Sequence, residues 1–319
     1  MSTSYHLPEG YDRISKINFS KIKVTPIQIK IINFLGALSC ILYRTQKGIK
    51  MRRFIIREES GYPLRVTLFE PEHISGEAPC LLYFHGGAFF FGVFTYLYKL
   101  VSQYAAAVPC KVLIVHYRLS LKYPFPAAIN DCYHSLVWLF DHSRDLAIDT
   151  GRIAVGGDSA GGALAAAVTQ MTRDRHGPPV CFQMLIYPVI DQSQTSPSMT
   201  DEADSPFWNA NLNSQMWRIY LRDGDQGMPA YASPINAVSF AGLPPAYIEI
   251  QEYDCLRDEG SAYADKLREN GIKVELIENK GTFHGFDVLH RSPVAQKAIA
   301  DRITALRNGI GRSPSDSAA

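Results

Sequence analysis

The stretch Ile153-Ala154-Val155-Gly156-Gly157-Asp158-Ser159-Ala160-Gly161-Gly162 sets a serine among small residues at the end of an apolar run. The apolar run predicts a strand, and the alanine-rich sequence behind it predicts a helix over residues 160–173. A serine flanked as Gly157-x-Ser159-x-Gly161 at a strand-to-helix turn is typical of an activated nucleophile, because the sharp turn admits only small neighbours. The helix N-terminus also directs N–H groups at negative charge that develops on a substrate. A glycine-rich helix start without chemistry is the alternative that this stretch alone leaves open.

Outward from this turn, short apolar runs alternate with longer helical patterns. The predicted strands are residues 53–59, 64–71, 80–84, 111–117, 153–156, 181–187, 246–250 and 273–277. The predicted helices are residues 97–107, 127–140, 160–173, 259–270 and 293–307. The first two strands are expected to pair antiparallel through Gly61-Tyr62-Pro63. The alternation that follows predicts an α/β fold, in which a mostly parallel central sheet is flanked by helices.

Two segments fall outside the alternation. Residues 1–50 have mixed helical character, and residues 193–225 form an insertion rich in aromatic side chains, with Phe207, Trp208, Trp217 and Tyr220. Insertions beyond the carboxyl edge of such a sheet tend to lie over the ligand crevice. Residues 1–50 and 193–225 are therefore expected to form a helical cap on a catalytic domain of residues 51–192 and 226–310. Residues 311–319 are small and polar and are expected to be a flexible tail.

A second glycine-rich segment, His85-Gly86-Gly87-Ala88, follows the predicted strand 80–84. Small residues at this place let the backbone approach a substrate closely. The N–H groups of Gly87 and Ala88, with that of Ala160 behind the serine, are candidates for an oxyanion hole. His85 itself is interpreted as structural, bonding to the loop backbone, rather than as a base.

The partners of the serine must follow it in the chain, first an acid and then a histidine. Asp254 lies just past the predicted strand 246–250, and His284 lies a few residues past the strand 273–277. Both are therefore expected at the sheet edge that carries Ser159. Asp258 and Glu252 compete from the same loop, and Asp254 is favoured because it is nearest the point where the chain should leave its strand. The weaker histidine candidates, which have no predicted strand directly in front, are His134, His142 and His290.

Length and charge narrow the class of protein. The chain has 319 residues, and 32 Lys and Arg against 31 Asp and Glu leave a net charge of +1. A chain of this length buries roughly three-quarters of its extended surface on folding. With no basic field to attract nucleic acid and no acidic field to steer cations, the expected partner is a small molecule.

Cysteine usage and the N-terminus bear on the cellular compartment. The six cysteines are scattered without a Cys-x-x-Cys pair, which predicts free thiols rather than disulfides or a zinc site. Residues 1–9 are polar and lack the apolar core of a signal peptide. Residues 31–43 are apolar, but this run has about 13 residues where a membrane span needs about 20. A packed amphipathic helix is expected there, with a peripheral membrane contact as the alternative. No stable membrane insertion is expected. The protein is expected to be cytoplasmic.

Taken together, the motifs resemble those of the bacterial hormone-sensitive-lipase-like esterases, a branch of the α/β-hydrolase superfamily. The matching segments are His85-Gly86-Gly87-Ala88-Phe89, Tyr117-Arg118-Leu119 with Pro124-Phe125-Pro126-Ala127-Ala128, Gly157-Asp158-Ser159-Ala160-Gly161-Gly162, Asp254-x-Leu256-Arg257-Asp258 and His284-Gly285-Phe286. They cover roughly residues 60–310. The resemblance implies a triad and three oxyanion donors, which are Ser159, Asp254 and His284 with Gly87, Ala88 and Ala160. It also implies a cap built from the N-terminal segment and the insertion after the sixth strand.

The chain departs from the family pattern at two places. Ala88 stands where the family usually has a third glycine, and its N–H serves equally well if the backbone there does not require positive φ. Ser120-Leu121-Lys122 replaces the Ala-Pro-Glu that usually follows Tyr-Arg-Leu. The second change leaves open whether a contact that supports the site is present, but it does not affect the residues that carry the chemistry.

The expected activity is hydrolysis of short-chain, acetyl-like carboxylic esters of small molecules. Ser159 would attack the ester, His284 would take its proton, and Asp254 would fix the imidazole, with no metal or organic cofactor required. A peptidase or amidase on the same fold is an alternative. A non-catalytic receptor of this fold is disfavoured because the base is present, and a trypsin-like protease because that class places His and Asp before Ser.

Four aromatic residues are candidates for the substrate pocket. Phe89 and Phe90 follow the glycine-rich loop, and Trp208 and Trp217 lie in the insertion. A confined aromatic pocket would favour short acyl groups, but the same side chains fit a packed core equally well. The natural ester and the oligomeric state, including a homodimer, are left open by the sequence.

Overall fold

A mostly parallel β-sheet runs through the centre of the protein. The computed structural model describes residues 5–11, 21–57 and 61–311. In these ranges the sheet has eight strands in the order β1-β2-β4-β3-β5-β6-β7-β8. The strands are β1 (Ile49–Arg57), β2 (Pro63–Pro71), β3 (Ala78–Phe84), β4 (Lys111–His116), β5 (Ile148–Asp158), β6 (Phe182–Ile186), β7 (Ala246–Tyr253) and β8 (Val274–Phe283). The α/β architecture predicted from the sequence is confirmed.

Helices cover both faces of this sheet and extend beyond its edge. They are α1 (Pro26–Ile41), α2 (Thr95–Ala107), α3 (Ala127–Asp141), α4 (Ala160–Asp174), α5 (Pro197–Asp201), α6 (Ala210–Tyr220), α7 (Pro229–Ala232), α8 (Arg257–Glu269) and α9 (Pro293–Ile310). The five predicted helices correspond to α2, α3, α4, α8 and α9. Helix α4 directly follows β5 and is buried from Ala160 to Thr172, which explains its run of small side chains.

The first strands are antiparallel and the rest are parallel. β1 pairs with β2 from Ile49 opposite Pro71 to Arg57 opposite Pro63, as predicted, and β2 pairs antiparallel with β4. From β4 to β8 every pairing is parallel, so the carboxyl ends of β5, β7 and β8 lie at the same edge. The end of the first predicted strand, residues 58–59, and most of the predicted tail, residues 312–319, lie outside the described residues.

Alternating side chains of the central strands pack into two separate hydrophobic cores, one on each face of the sheet. Every residue of β3 is buried, as expected for a strand covered on both faces. Leu82 and Phe84 belong to the core on one face of the sheet, and Leu81 and Tyr83 belong to the core on the other. These two cores hold the strand ends in fixed positions.

Helix α1 differs from the packed amphipathic helix that the sequence predicts. It begins with a capping box at Thr25, and of its residues only Ile29, Gly36 and Cys40 are buried. Gly36 lies so close to the ring of Phe94 that a Cβ there would come within 2.7 Å of it. Most of the remaining apolar side chains of α1 are exposed, because a single narrow stripe faces the protein. Within the described part of the chain, no helix is long and apolar enough to cross a membrane.

The N-terminal segment and the insertion contact each other. The Val24 N–H donates to Oε1 of Gln215 in α6 at 2.9 Å. The Gln215 amide Nε2 donates in turn to the Ile22 carbonyl oxygen at 3.0 Å. Helix α6 turns Leu212, Met216 and other apolar side chains inward. The two segments that fall outside the strand–helix alternation are therefore neighbours in the fold.

Candidate active site

Ser159 occupies the turn between β5 and α4. Its backbone has φ 55° and ψ −119°, a region that L residues rarely adopt and that marks a strained turn. The Ser159 N–H is held by the Ile186 carbonyl oxygen at 2.8 Å, and only 8% of the residue is exposed. The strain is maintained by the strand in front, the helix behind and the neighbouring strand β6.

The glycines around Ser159 are required by close backbone contacts. A Cβ on Gly161 would overlap the Phe84 carbonyl oxygen and lie 2.7 Å from that of His85. A Cβ on Gly157 would come within 2.5 Å of the same Phe84 oxygen. These contacts are with backbone atoms, which cannot rotate away. The small residues of the sequence motif therefore have a steric cause.

Asp254 and His284 meet Ser159 at this edge of the sheet. The His284 Nε2 lies 2.9 Å from the Ser159 Oγ, and the His284 Nδ1 lies 2.8 Å from an Asp254 carboxylate oxygen. The other Asp254 oxygen accepts the Leu256 N–H at 2.9 Å. Asp254 and His284 are both buried. The structure thus forms one hydrogen-bonded chain from carboxylate to imidazole to hydroxyl.

The competing acids on the Asp254 loop are engaged elsewhere. Asp258 accepts the Ser198 N–H at 2.8 Å and pairs with Arg257 at 2.8 Å. Glu252 accepts the Gly281 N–H at 2.7 Å. The preference for Asp254 over its neighbours thus agrees with the side-chain geometry.

The loop of residues 85–91, hereafter the HGG loop, faces the serine turn. Gly87, Ala88 and Phe89 all have positive φ, at 113°, 56° and 60°. The condition under which alanine would serve as well as glycine at position 88, a backbone without positive φ, is therefore not met. Within the described ranges, the N–H groups of Gly87, Ala88 and Ala160 have no hydrogen-bond acceptor in the protein. All three remain available to an oxyanion.

Contacts from elsewhere in the chain hold the HGG loop. The Ser120 N–H donates to the Phe89 carbonyl oxygen at 2.9 Å, and the Tyr117 hydroxyl donates to the His85 carbonyl oxygen at 2.7 Å. A supporting contact thus exists although Ser120 departs from the family pattern. The His85 ring stacks on Tyr117 at 4.1 Å, and burial lowers the pKa of its imidazole to about 4. His85 is therefore neutral at pH 7, as a structural side chain should be.

Asp158 joins the serine turn to the HGG loop, a role that the sequence reasoning missed. Its carboxylate accepts hydrogen bonds from the Tyr83 hydroxyl at 3.0 Å and from the Gly86 N–H. Burial raises the pKa of this carboxyl to about 6, and the Asp287 carboxylate adds to the rise. The sequence feature that could have indicated this role is the position of Asp158 directly before Ser159 in the motif.

Comparison with known proteins identifies the family. The family profile described as alpha/beta hydrolase fold matches residues 81–288. Esterase LipI of Mycobacterium tuberculosis is 39% identical over 233 residues, which are 72% of this chain and 73% of the relative. This chain belongs to the α/β-hydrolase fold family.

Further relatives agree with the hormone-sensitive-lipase-like resemblance. Carboxylesterase NlhH of Mycobacterium tuberculosis is 34% identical over 250 residues, covering 77% of this chain and 78% of the relative. The solved structure named Bacterial Heroin Esterase has a TM-score of 0.82 at 34% identity, covering 89% of this chain and 92% of that chain. The hydrolase is accordingly a carboxylic-ester hydrolase, and the predicted branch and enzyme class are confirmed.

A buried ionic network supports the histidine of this hydrolase from behind. Arg302 in α9 makes two 2.7 Å hydrogen bonds to Glu249 and one of 2.5 Å to Asp287. The Tyr187 hydroxyl donates to the other Asp287 oxygen at 2.7 Å, and its ring lies 4.7 Å from that of His284. Asp287 could have been noticed three residues after the histidine. Arg302 carries no local signal.

The four aromatic pocket candidates occupy different surroundings in the hydrolase. Trp208 lies with its ring 6.0 Å from that of His284. Phe89 is fully buried and stacks on Tyr220 at 3.7 Å, and Trp217 lies 6.2 Å from Phe89. Phe90 is also fully buried, with its ring 4.8 Å from that of Phe91. Trp208 thus lies beside the hydrogen-bonded triad.

Proposed function

We propose that the chain hydrolyses short-chain acyl esters of small molecules through a Ser159 acyl-enzyme. The observation that carries this proposal is the hydrogen-bonded chain from Asp254 through His284 to the Ser159 hydroxyl. An isolated serine is a weak nucleophile at neutral pH and needs an adjacent base. The contact of 2.9 Å between Nε2 and Oγ supplies one.

The proposed reaction has two steps, acylation and deacylation of Ser159. His284 Nε2 takes the Ser159 proton as Oγ bonds to the ester carbonyl carbon, and Asp254 holds the Nδ1–H and stabilises the imidazolium. The carbonyl oxygen becomes an oxyanion, which accepts hydrogen bonds from the N–H groups of Gly87, Ala88 and Ala160. The C–O bond then breaks, and the alcohol leaves with the proton from Nε2. Water repeats the sequence on the acyl-enzyme and releases the acid.

The oxyanion donors are proposed as Gly87, Ala88 and Ala160. Their N–H groups have no acceptor within the residues that the structure describes, which supports the assignment. Each is fixed before substrate arrives, so no reorganisation is needed as charge develops. Loss of one such donor typically costs about 10²–10³ in rate.

A short acyl pocket is proposed beneath a cap of residues 1–50 and 193–225. The hydrogen bonds between Ile22, Val24 and Gln215 and the position of Trp208 beside His284 support this. Phe89 would act as a fixed wall, because it is stacked and buried. A surplus acyl chain must then stay in water or displace packed rings, at typically about 1–3 kcal/mol.

Replacement of Ser159 by alanine tests the mechanism. Hydrolysis of p-nitrophenyl acetate is expected to fall by about 10⁴-fold or more, with the circular dichroism spectrum and melting temperature retained. A fluorophosphonate should add its mass to the wild-type chain and leave Ser159→Ala unlabelled. Turnover by the pure variant within about tenfold of wild type would disprove the nucleophile. Cleavage of the matching p-nitroanilide at a comparable rate would favour the amidase alternative.

Acyl specificity is tested by a series of p-nitrophenyl esters from acetyl to dodecanoyl. Activity as kcat/KM is expected to peak between acetyl and hexanoyl and to fall beyond about ten carbons. Each ester is measured below its micellar limit. An open channel would instead add roughly 0.8 kcal/mol per buried methylene. A profile still rising at dodecanoyl would therefore contradict the short pocket without affecting the Ser159 assignment.

A further inference from the structure

Helix α1 presents an apolar face that packs against nothing in the described structure. Ile27, Ile31, Phe34, Leu38 and Ile41 recur at the spacing of one helix face and are 68%, 55%, 69%, 44% and 72% exposed. The residues that pack against the protein, Ile29, Gly36 and Cys40, lie on the opposite side of the helix. A contiguous exposed apolar patch rimmed by polar residues normally marks an interaction site.

The segment that carries this face is uniformly basic. Residues 21–57 contain nine Lys and Arg and no Asp or Glu, in a chain whose total net charge is +1. The exposed Lys and Arg residues in α1 or just outside its ends are Lys21, Lys23, Lys30 and Arg44. The Arg53 guanidinium of β1 donates to the Cys40 carbonyl oxygen of α1 at 3.5 Å. Lys30 lies between Ile27 and Phe34 on the helix, at i+3 and i−4. The charge is therefore concentrated around the apolar face.

We propose that this α1 face docks the protein on an anionic phospholipid surface. An apolar helix face with a basic border lies in the plane of a bilayer, with its side chains among the acyl chains and its cations at the headgroups. Anionic lipids attract each nearby Lys or Arg, on the order of fivefold in affinity per charge. Apolar burial and charge complementarity thus favour the same partner.

A second copy of the chain is a poorer occupant of this face. A two-fold dimer would place the same patch against itself. Lys30 and the cations next to α1 would then meet those of the other copy, and residues 21–57 hold no carboxylate to pair with them. A lipid surface supplies the missing negative charge.

The docked helix would lie directly over the end of the HGG loop and the residues that follow it. Asn33 on α1 donates to the Phe90 carbonyl oxygen at 2.9 Å and accepts the Gly92 N–H at 2.8 Å. The Cys40 thiol lies 3.4 Å from the Val93 carbonyl oxygen. Docking would therefore bring the lipid surface to the side of the enzyme on which residues 90–93, at the end of the HGG loop, contact α1.

Vesicle co-sedimentation of the full chain tests the proposal. The protein carries Ser159→Ala, so that lipid binding is measured in the absence of ester hydrolysis. The result is then independent of whether the proposed mechanism is correct. Vesicles of phosphatidylcholine alone are compared with vesicles containing about one third phosphatidylglycerol. Binding is expected to be at least about tenfold tighter to the anionic vesicles and to weaken as NaCl rises from about 0.1 M to about 0.5 M.

Two pairs of variants separate the apolar and electrostatic contributions. Phe34→Gln with Leu38→Gln should reduce binding by at least about tenfold, whereas Val238→Gln, at another exposed apolar position, should not. Lys23→Gln with Lys30→Gln should reduce binding to anionic vesicles more than Lys280→Gln with Lys297→Gln, which removes the same charge elsewhere. Melting temperatures verify that each variant is folded.

Three outcomes would overturn the proposal. They are no binding to anionic vesicles, equal binding to both vesicle types, and wild-type binding by the Phe34→Gln, Leu38→Gln protein. A dimer in light scattering that this double variant dissociates would assign the face to a second copy instead.

Discussion

The serine turn and the HGG loop meet at the same candidate active site but keep their unusual backbones by different means. At the serine turn, Gly157 and Gly161 are required because a side chain there would strike backbone oxygens. In the HGG loop, two of the three consecutive residues with positive φ, Ala88 and Phe89, are not glycine. The first site is shaped by its own short sequence. The second is shaped by residues far away in the chain.

Distant contacts are what hold the HGG loop in its left-handed path. The Ser120 N–H binds the Phe89 carbonyl oxygen, and Tyr220 from the insertion stacks on the Phe89 ring. Each residue in a left-handed conformation costs about 1–2 kcal/mol relative to glycine. Burial of a large aromatic side chain contributes a similar amount or more in the opposite sense. The loop is thus stable only in the context of the folded chain.

Gly161→Ala should produce the largest effect, because it blocks the serine turn. The new Cβ would overlap the Phe84 carbonyl oxygen, and neither backbone can yield without moving Ser159. We expect a loss of about 3 kcal/mol in the free energy of unfolding and of about 10² or more in kcat/KM. Denaturant unfolding and p-nitrophenyl acetate hydrolysis measure the two quantities.

Gly92→Ala is the matched control for that experiment. A Cβ on Gly92 would lie 3.7 Å from its nearest neighbour, and the N–H that binds Asn33 is retained. It should leave both quantities nearly unchanged. If Gly161→Ala behaved in the same way, the steric account of the serine turn would be wrong.

The difference between the two loops explains what the sequence could predict. Ser159 could be predicted from its local motif. Asp254 and His284 could be predicted because each follows a predicted strand and because they come after the serine in the required chain order. The positive φ at Ala88 is held by contacts that its neighbour Phe89 makes with residues more than 30 positions away. The local sequence therefore could not decide whether position 88 requires positive φ.

Two other features escaped prediction for related reasons. Arg302 reaches Glu249 and Asp287 through tertiary packing, and nothing around it in α9 distinguishes it from a surface arginine. Helix α1 is apolar on nearly every side, so periodicity predicts a helix but cannot tell which stripe of side chains packs.

Asp158→Asn should have an intermediate effect, because Asp158 couples the two loops. Its folded pKa of about 6 lies above the ordinary value of 3.8, so the folded state binds the proton more tightly than the unfolded chain does. The resulting stabilisation is full below about pH 4, falls as the pH rises to about 6, and is then constant. The excess stability of wild type over Asp158→Asn should therefore shrink across this window.

Melting temperatures measured from about pH 4 to about pH 7 test this pH dependence. Asp265→Asn, whose side chain is 61% exposed, provides the control. We also expect kcat/KM of Asp158→Asn to fall by on the order of tenfold, because the Gly86 N–H loses a charged acceptor. A stability difference that grows with pH would contradict the raised pKa.

Ala88→Gly should produce the smallest effect, because three contributions to the free energy of unfolding nearly cancel. Glycine relieves about 1–2 kcal/mol of left-handed strain. It loses about 0.8 kcal/mol from the buried methyl group and about 0.5–1 kcal/mol from the greater freedom of the unfolded chain. Thermal unfolding should therefore shift by no more than about 2 °C in either direction. The N–H that is proposed to bind the oxyanion is unchanged, so kcat/KM should stay within about threefold.

The neighbouring substitution Gly87→Ala gives the contrast that makes this small effect informative. Gly87 has φ 113°, and a Cβ there would lie 2.8 Å from the Phe91 carbonyl oxygen, so alanine should cost about 2 kcal/mol or more. Both variants keep every backbone N–H of the HGG loop. If the distant contacts fix the loop, only Gly87→Ala should lower the melting temperature and the rate together. A large loss of activity in Ala88→Gly would instead show that the methyl group of Ala88 shapes the oxyanion hole directly, because its removal leaves the donors in place.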